Sequence, residues 1–258
     1  MNHTDLFSLQ GKVAVVVGGG GVLAGAMAEG LAEAGAAIAI LDPHQANGEA
    51  RAASIRARGA KAIAIQGDAS RKEDLERALG TVLGSLGSVD ILVNAAGINS
   101  GTPFFEITET EWQRILEVNL KSVFLACQVF GKRMVECGQG GSIINISSAS
   151  SGPPLSKVFT YSVTKGGVNQ ITQFLAREWA PYKVRVNAIR PGFFPAPQNR
   201  AILAGERIAD VMKHTPMKRF GEAQELVGAA IYLASEKASS FATGSILTVD
   251  GGFLAMTI

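Results

Sequence analysis

Seven short apolar runs alternate with amphipathic segments from one end of the chain to the other. The runs lie at residues 12–17, 37–41, 62–66, 90–93, 142–147, 185–189 and 245–249, and most are apolar without interruption. A strand with one wet face alternates apolar and polar side chains. A strand covered on both faces has no use for the polar positions, so continuous apolar runs point to a parallel sheet buried on both sides. Between the runs, helical periodicity spans residues 23–34, 46–57, 72–86, 110–137, 160–180 and 222–234. Strand and helix in regular alternation predict right-handed βαβ units and an α/β fold: a doubly wound, seven-stranded parallel sheet with helices on both faces. No linker, repeat or charge run divides the 258 residues, so a single domain over 1–258 is expected. Residues 191–219 break the rhythm. They carry Pro191, Pro195, Pro197 and Pro216 around a short helical pattern, and an irregular stretch of that length predicts a binding segment.

The bulk numbers narrow the functional classes. Hydrophobic residues are 47% of the chain and charged residues 18%, enough for a sizeable core, while the net charge of +2 comes without any block of like charges. No electrostatic footprint for nucleic acid or a membrane surface is present. The apolar runs are too short to span a bilayer, and no signal-peptide pattern opens the chain. Cys127 and Cys137 fall in one predicted helix, where ten residues set their Cα atoms roughly 15 Å apart, too far for a disulfide. Two reduced thiols predict a cytoplasmic protein. His3, His44 and His214 have no ligand spacing, so no metal is expected.

The first strand runs into Gly18-Gly19-Gly20-Gly21-Val22-Leu23-Ala24-Gly25 and then a helix. A glycine turn lets backbone approach a pyrophosphate, and the helix start offers unpaired N–H groups and positive dipole. Gly18, Gly20, Gly21, Val22 and Leu23 are therefore candidate dinucleotide contacts. Asp42 ends the second strand 24 residues after Gly18, where an acid accepts hydrogen bonds from the adenosine ribose. A carboxylate there repels a 2′-phosphate, and no Arg or Lys stands in the glycine turn or directly after Asp42, so NAD is expected in preference to NADP. A solvated turn residue before Pro43 is the competing reading of Asp42. Asp68, with Ala69 behind it, follows the third strand and is placed either to meet the adenine amino group or to cap the next helix. Asn94, Ala95 and Ala96, followed by Gly97, end the fourth strand, and such small residues let the chain pass close under a cofactor or simply turn.

Tyr161 and Lys165 are four apart in a helical pattern, so both leave one face a turn apart. A phenol normally ionises near pH ~10, and a neighbouring ammonium is expected to lower that value toward neutrality, making a usable proton donor or acceptor. Ser148 closes the fifth apolar run, thirteen residues before Tyr161.

Together these motifs resemble the classical short-chain dehydrogenases/reductases, over residues 9–252. The resemblance implies a Rossmann fold and a catalytic tetrad of Asn119 (in Val118-Asn119-Leu120), Ser148, Tyr161 and Lys165. It also implies that Pro191-Gly192, with Phe194 beyond, flanks the nicotinamide. Tyr161 then exchanges a proton with the substrate oxygen and Ser148 donates a hydrogen bond to that oxygen. Lys165 supports the phenolate and bonds the nicotinamide ribose, and Asn119 holds a water that relays protons. The chain departs from the family's Thr-Gly-x-x-x-Gly-x-Gly at three places, where Val17, Val22 and Ala24 stand and Gly25 is displaced by one. It also lacks the Thr often found near Ala196. The run from Phe193 to Arg200, with His214-Thr215-Pro216-Met217-Lys218-Arg219-Phe220-Gly221, resembles the D-mannonate oxidoreductase (fructuronate reductase) subgroup. A sugar-acid substrate follows: Arg200 is suited to a carboxylate, while Gln198, Asn199 and Asn99 read hydroxyls. An exposed Arg200 is the competing reading. A 3-oxoacyl-thioester reductase, a polyol dehydrogenase and a silent nucleotide-binding regulator are the alternatives. The resemblance also implies a homotetramer. It is to be built on helices 110–137 and 160–180, apolar on more than one side at Val123, Phe124, Phe130, Ile171 and Phe174, with 249–253 in a second contact.

Overall fold

The computed structural model describes residues 3–153, 155–196 and 205–256. After a short helix α1 (His3–Leu6) come β1 (Val13–Val17), α2 (Val22–Glu33), β2 (Ala37–Asp42), α3 (Gln45–Ala57), β3 (Ala62–Gln66), α4 (Lys72–Leu86) and β4 (Ile91–Asn94). The second half runs through α5 (Glu109–Leu116), α6 (Ser122–Ala126), α7 (Lys132–Cys137), β5 (Gly141–Ile146), α8 (Phe159–Trp179) and β6 (Val184–Pro191). It closes with α9 (Glu206–His214), α10 (Val227–Ala234), α11 (Glu236–Ser239) and β7 (Ile246–Val249). The seven strands form one sheet in the order β3-β2-β1-β4-β5-β6-β7, and every pairing is parallel.

Strand β1 shows why the apolar runs are continuous. Ala14 and Val16 face a core shared with α2, α3 and α10, through Met27, Leu31, Ile55 and Leu233. Val13, Val15 and Val17 face the opposite core, with Leu75, Val123, Phe130, Val168 and Ala176. Burying a Val side chain is worth about 1.5–3 kcal/mol, so a five-residue strand that buries every side chain contributes as much as a much longer half-wet one. Chain order reverses on either side of β1, so the crevice between the carboxyl ends of β1 and β4 is the sheet's switch point, where ligands of such sheets bind.

The region predicted as one helix over 110–137 is interrupted. Two π-helical segments, Glu117–Lys121 and Cys127–Gly131, separate α5, α6 and α7. Such widened turns recur at functional sites, and Asn119 lies within the first. The apolar residues expected to mark outward faces also divide. Val123 and Phe130 belong to the core of the chain itself and Ile171 is partly buried, whereas Phe124 and Phe174 stay 48% and 61% exposed. Among the described residues, no helix is long and apolar enough to cross a membrane.

Candidate active site

A cleft of about 380 Å³ follows the carboxyl ends of β1, β2, β4, β5 and β6. One end is the glycine turn. Gly18 has φ +76°, and a β-carbon on it would stand 2.9 Å from the Ala96 backbone, so both the backbone conformation and the close approach of the 95–96 turn require glycine. A β-carbon on Gly20 would come within 2.8 Å of the Asp42 carboxylate, because the Gly20 N–H donates to Asp42 Oδ2 at 3.0 Å. The His44 N–H donates to the other oxygen at 2.9 Å. Asp42 thus ties the turn to β2 and keeps a lone pair on each oxygen for a ligand in the cleft. Helix α2 begins with Gly21 as its cap, without a side-chain partner and without an acidic residue in its first turn. That leaves its N-terminal N–H groups and dipole available to an anion.

The displaced Gly25 has a packing role. Its β-carbon position is taken by the Arg51 guanidinium, and Val227 fills the space beside Gly30. Glycine inside a helix costs about 1 kcal/mol relative to alanine, and here that cost is offset by close packing of α2 against α3 and α10 and by the Arg51–Glu29 ion pair. Ala24 is buried, while Val22 is exposed at the cleft wall.

At the other end, Ser148 follows β5 and sits half-buried in extended backbone. Its Oγ accepts from the Ser150 N–H at 3.2 Å and from the Ser150 hydroxyl at 3.1 Å. Tyr161 and Lys165 leave one face of α8, with Lys165 Nζ 5.5 Å from the centre of the Tyr161 ring. Nζ donates to the Ile146 carbonyl at 2.7 Å, and burial pushes the ammonium down to about 8. The expected lowering of the Tyr161 phenol is not what the chain provides. Burial pushes it up, and the hydrogen bond from Ser148 is the lesser, opposing influence. The spacing did place the ammonium beside the ring. What it omitted is that both groups are withdrawn from water, which penalises the phenolate and weakens the ammonium that was to stabilise it.

Asn119 is fully buried. Its Oδ1 accepts from the Ile98 N–H at 2.8 Å, and Nδ2 donates to the Ile98 carbonyl at 2.8 Å and to Thr164 Oγ1 at 3.3 Å. Both amide hydrogens are committed, leaving one Oδ1 lone pair as the side chain's sole capacity for a water. Asn119 is thus a buried side chain that bonds chiefly to backbone. Its clasp fixes the turn after β4, where Gly97 borders both Asn119 and Lys165.

The structure brings Gly18, Gly21, Val22, Leu23, Asp42, Ala95, Ala96, Asn99, Ser148, Tyr161, Lys165, Pro191, Gly192 and Phe194 onto the walls of this one cleft. Four expected cofactor contacts do not line it, the first being Gly20, whose N–H is turned to Asp42. The Asn94 side chain turns into the core, where Nδ2 donates to Asn145 Oδ1 at 2.9 Å. Asp68 caps its own turn, accepting from the Ser70 N–H and hydroxyl at 2.8 Å each, and Ala69 is buried behind it. Gln198, Asn199 and Arg200 lie outside the described residues. Cleft residues that the sequence reading passed over are Met27, His44, Asn47, Ile98, Val118, Ile146 and Ser147.

A crevice at the switch point, an uncapped helix start and a carboxylate at its far end fit a nicotinamide dinucleotide. Gly18, Gly21 and the start of α2 would hold the pyrophosphate, Asp42 the adenosine ribose, and Lys165 the nicotinamide ribose. A half-buried phenol and hydroxyl and a buried amine gathered at the opposite end fit an oxidoreductase that works on an alcohol or carbonyl beside that cofactor. The comparisons make the class specific. Residues 21–254 match the family model described as enoyl-(acyl carrier protein) reductase. The chain is 36% identical to the 5-keto-D-gluconate 5-reductase of Escherichia coli K12, over 97% of this chain and 98% of that one. The structure of a gluconate 5-dehydrogenase from Burkholderia cenocepacia, in complex with NADP and tartrate, superimposes with a TM-score of 0.94 at 35% identity, covering 99% of this chain and 100% of that one. A protein from Haemophilus influenzae provisionally named a D-mannonate oxidoreductase, with bound NAD, gives 0.92 at 32% identity over 99% of each chain. The chain belongs to the classical short-chain dehydrogenase/reductase family and is an NAD(P)-dependent oxidoreductase interconverting secondary alcohols and ketones.

Proposed function

We propose that the protein is a single-domain, cytoplasmic, NAD-preferring oxidoreductase of sugar acids, with D-mannonate/D-fructuronate as its alcohol/ketone pair. What carries the reading is the joining of Ser148, Tyr161 and Lys165 to Asp42 through one cleft. When bound, the nicotinamide cofactor supplies or accepts the hydride. In the reductive direction, Tyr161 gives its proton to the substrate oxygen as charge develops there, and the Ser148 hydroxyl donates a hydrogen bond to the same oxygen. A phenol held up by burial keeps its proton until that oxygen becomes basic enough to take it. Lys165 keeps two hydrogens beyond the one given to Ile146, for the ribose and for the phenolate left behind. Asn119 holds the turn under the nicotinamide and offers its remaining lone pair to a proton-relaying water. In Tyr161→Phe, folding and NADH binding are expected to persist while turnover falls at least ~10²-fold. Retained turnover in steady-state assays would sink the assignment.

Asp42 supports the cofactor preference. Two unit charges 4 Å apart repel by roughly 4 kcal/mol at an effective dielectric near 20, which disfavours a 2′-phosphate beside this carboxylate. Wild-type kcat/KM is expected to be higher with NAD than with NADP, and Asp42→Ala to narrow the ratio. A wild type that prefers NADP would contradict the role given to this carboxylate.

The substrate class rests on the sugar-acid names of the relatives and on the run from Phe193 to Arg200. A panel of D-fructuronate, D-mannonate, 5-keto-D-gluconate, neutral polyols and a 3-oxoacyl thioester tests it. Leaving a substrate carboxylate unpaired costs ~2–5 kcal/mol, so Arg200→Ala is expected to raise KM steeply for the acids and little for the polyols. Equal effects on both would remove Arg200 from carboxylate binding. Preferred turnover of the thioester would replace the sugar-acid reading.

The exposed Phe124 and Phe174 on the helices that flank one face of the sheet support a homotetramer. Light scattering at micromolar concentration is expected to return four times the 26.9 kDa chain mass; a monomer mass would contradict it.

A further inference from the structure

A hydroxyl has one hydrogen to give and two lone pairs to receive with. Both lone pairs of Ser148 are taken by a single residue. The Ser150 N–H donates to Ser148 Oγ at 3.2 Å, and the Ser150 hydroxyl donates to the same atom at 3.1 Å. Ser150 is itself only 3% exposed, and its hydroxyl shows no other acceptor among the described residues. With its acceptor capacity filled from behind, the Ser148 hydroxyl is left to act as a donor into the cleft, toward Tyr161 and the place of the substrate oxygen. We infer that Ser150 is a positioning residue for the reaction: it fixes Ser148 as a hydrogen-bond donor and strengthens that donor.

The strengthening follows from the arrangement in series. Each hydrogen bond in a chain polarises the next, so a Ser148 that receives from Ser150 is a better donor than one that does not. A Ser148 hydroxyl turned toward Tyr161 opposes the upward push of burial on the phenol. Removing the Ser150 hydroxyl therefore weakens that opposition and raises the phenol further. In the oxidative direction Tyr161 works as the phenolate, so activity rises with pH through its titration, and a raised phenol moves that rise to higher pH. The other charged or titratable groups on the cleft walls are Lys165, which stands beside the Tyr161 ring, and Asp42 and His44 at the far end. Behind the Ser148–Gly152 turn stands Arg190, whose Nη1 would lie 3.8 Å from a β-carbon on Gly152. None of these is altered by removing a neutral hydroxyl from Ser150. Other elements already hold the turn in place. Ser151 Oγ donates to the Ser148 carbonyl at 2.6 Å, and Asn169 Nδ2 donates to Ser151 Oγ at 2.9 Å, so loss of one hydroxyl leaves the backbone anchored.

The proposal rests on the assignment of Ser148 and Tyr161, and the experiment separates the two. Ser150→Ala, Ser150→Thr, Ser148→Ala and Tyr161→Phe are assayed with NAD across pH on whichever alcohol the panel shows to be oxidised. Ser150→Ala is expected to lower kcat about threefold to tenfold, the range for one hydrogen bond, with KM nearly unchanged. Its rising pH limb should move up by about half a unit, in the direction that loss of a donor to the phenolate dictates. Ser150→Thr keeps the hydroxyl and should retain the wild-type limb. Should Ser150→Ala fail to fold, Ser150→Cys keeps the volume with a weaker donor and should shift the limb the same way. A limb that stays put in Ser150→Ala, with Tyr161→Phe inactive, overturns the proposal alone. An active Tyr161→Phe overturns the assignment beneath it.

Discussion

Helix α8 is fastened to the end of strand β5 by buried hydrogen bonds, and the geometry of the site depends on that fastening. Thr172 Oγ1 accepts from Asn145 Nδ2 at 2.9 Å, Asn169 Oδ1 accepts from Ser147 Oγ at 2.6 Å, and Lys165 Nζ donates to the Ile146 carbonyl at 2.7 Å. Three successive residues at the end of the strand and just past it, Asn145 to Ser147, thus meet three successive turns of the helix. Ser148 follows directly on the strand, and Tyr161 and Lys165 ride on the helix. Apolar packing through Val168 and Ala176 would bring the two elements together without fixing their sliding register. Directional bonds inside a low-dielectric core do fix it, because each one left unmade costs a buried, unpaired polar group.

The same network explains residues that do not face the cleft. Asn94, from the neighbouring strand, donates to Asn145 and so ties β4 to the pair that holds α8. Asn119 extends the tie from the turn after β4 to Thr164 on α8. The crevice at the β1–β4 switch point and the Ser148, Tyr161 and Lys165 side chains, after β5 and on α8, are therefore parts of one rigid frame. The charged groups are the exception to rigidity by packing: Lys165 and Asp42, both nearly buried, sit at opposite ends of the cleft and are held by backbone groups.

Burial also sets the chemistry. A phenol pushed up keeps its proton at rest, and an amine pushed down to about 8 stays mostly protonated near neutral pH while giving up its proton more readily than a free lysine. Burial dominates both groups, and on the phenol the Ser148 hydroxyl opposes it. This reverses the emphasis suggested by the four-residue spacing alone, where charge proximity stands out and desolvation is invisible.

Much of the molecule is written in the chain. Continuous apolar runs, the glycine turn after the first, and the positions of Ser148, Tyr161 and Lys165 suffice to foresee the doubly wound sheet and the residues of its cleft, because periodicity and turn chemistry are local properties. Side-chain partnerships are not local. That Asn94 turns inward to Asn145, that Asp68 closes its own turn, that Gly25 makes room for Arg51 and that two π-helical turns break the helix around Asn119 depend on which surfaces meet across the sheet. The direction in which Tyr161 is shifted was likewise decided only by folding, since the cost of burying a charge exists only once water has been removed from around it.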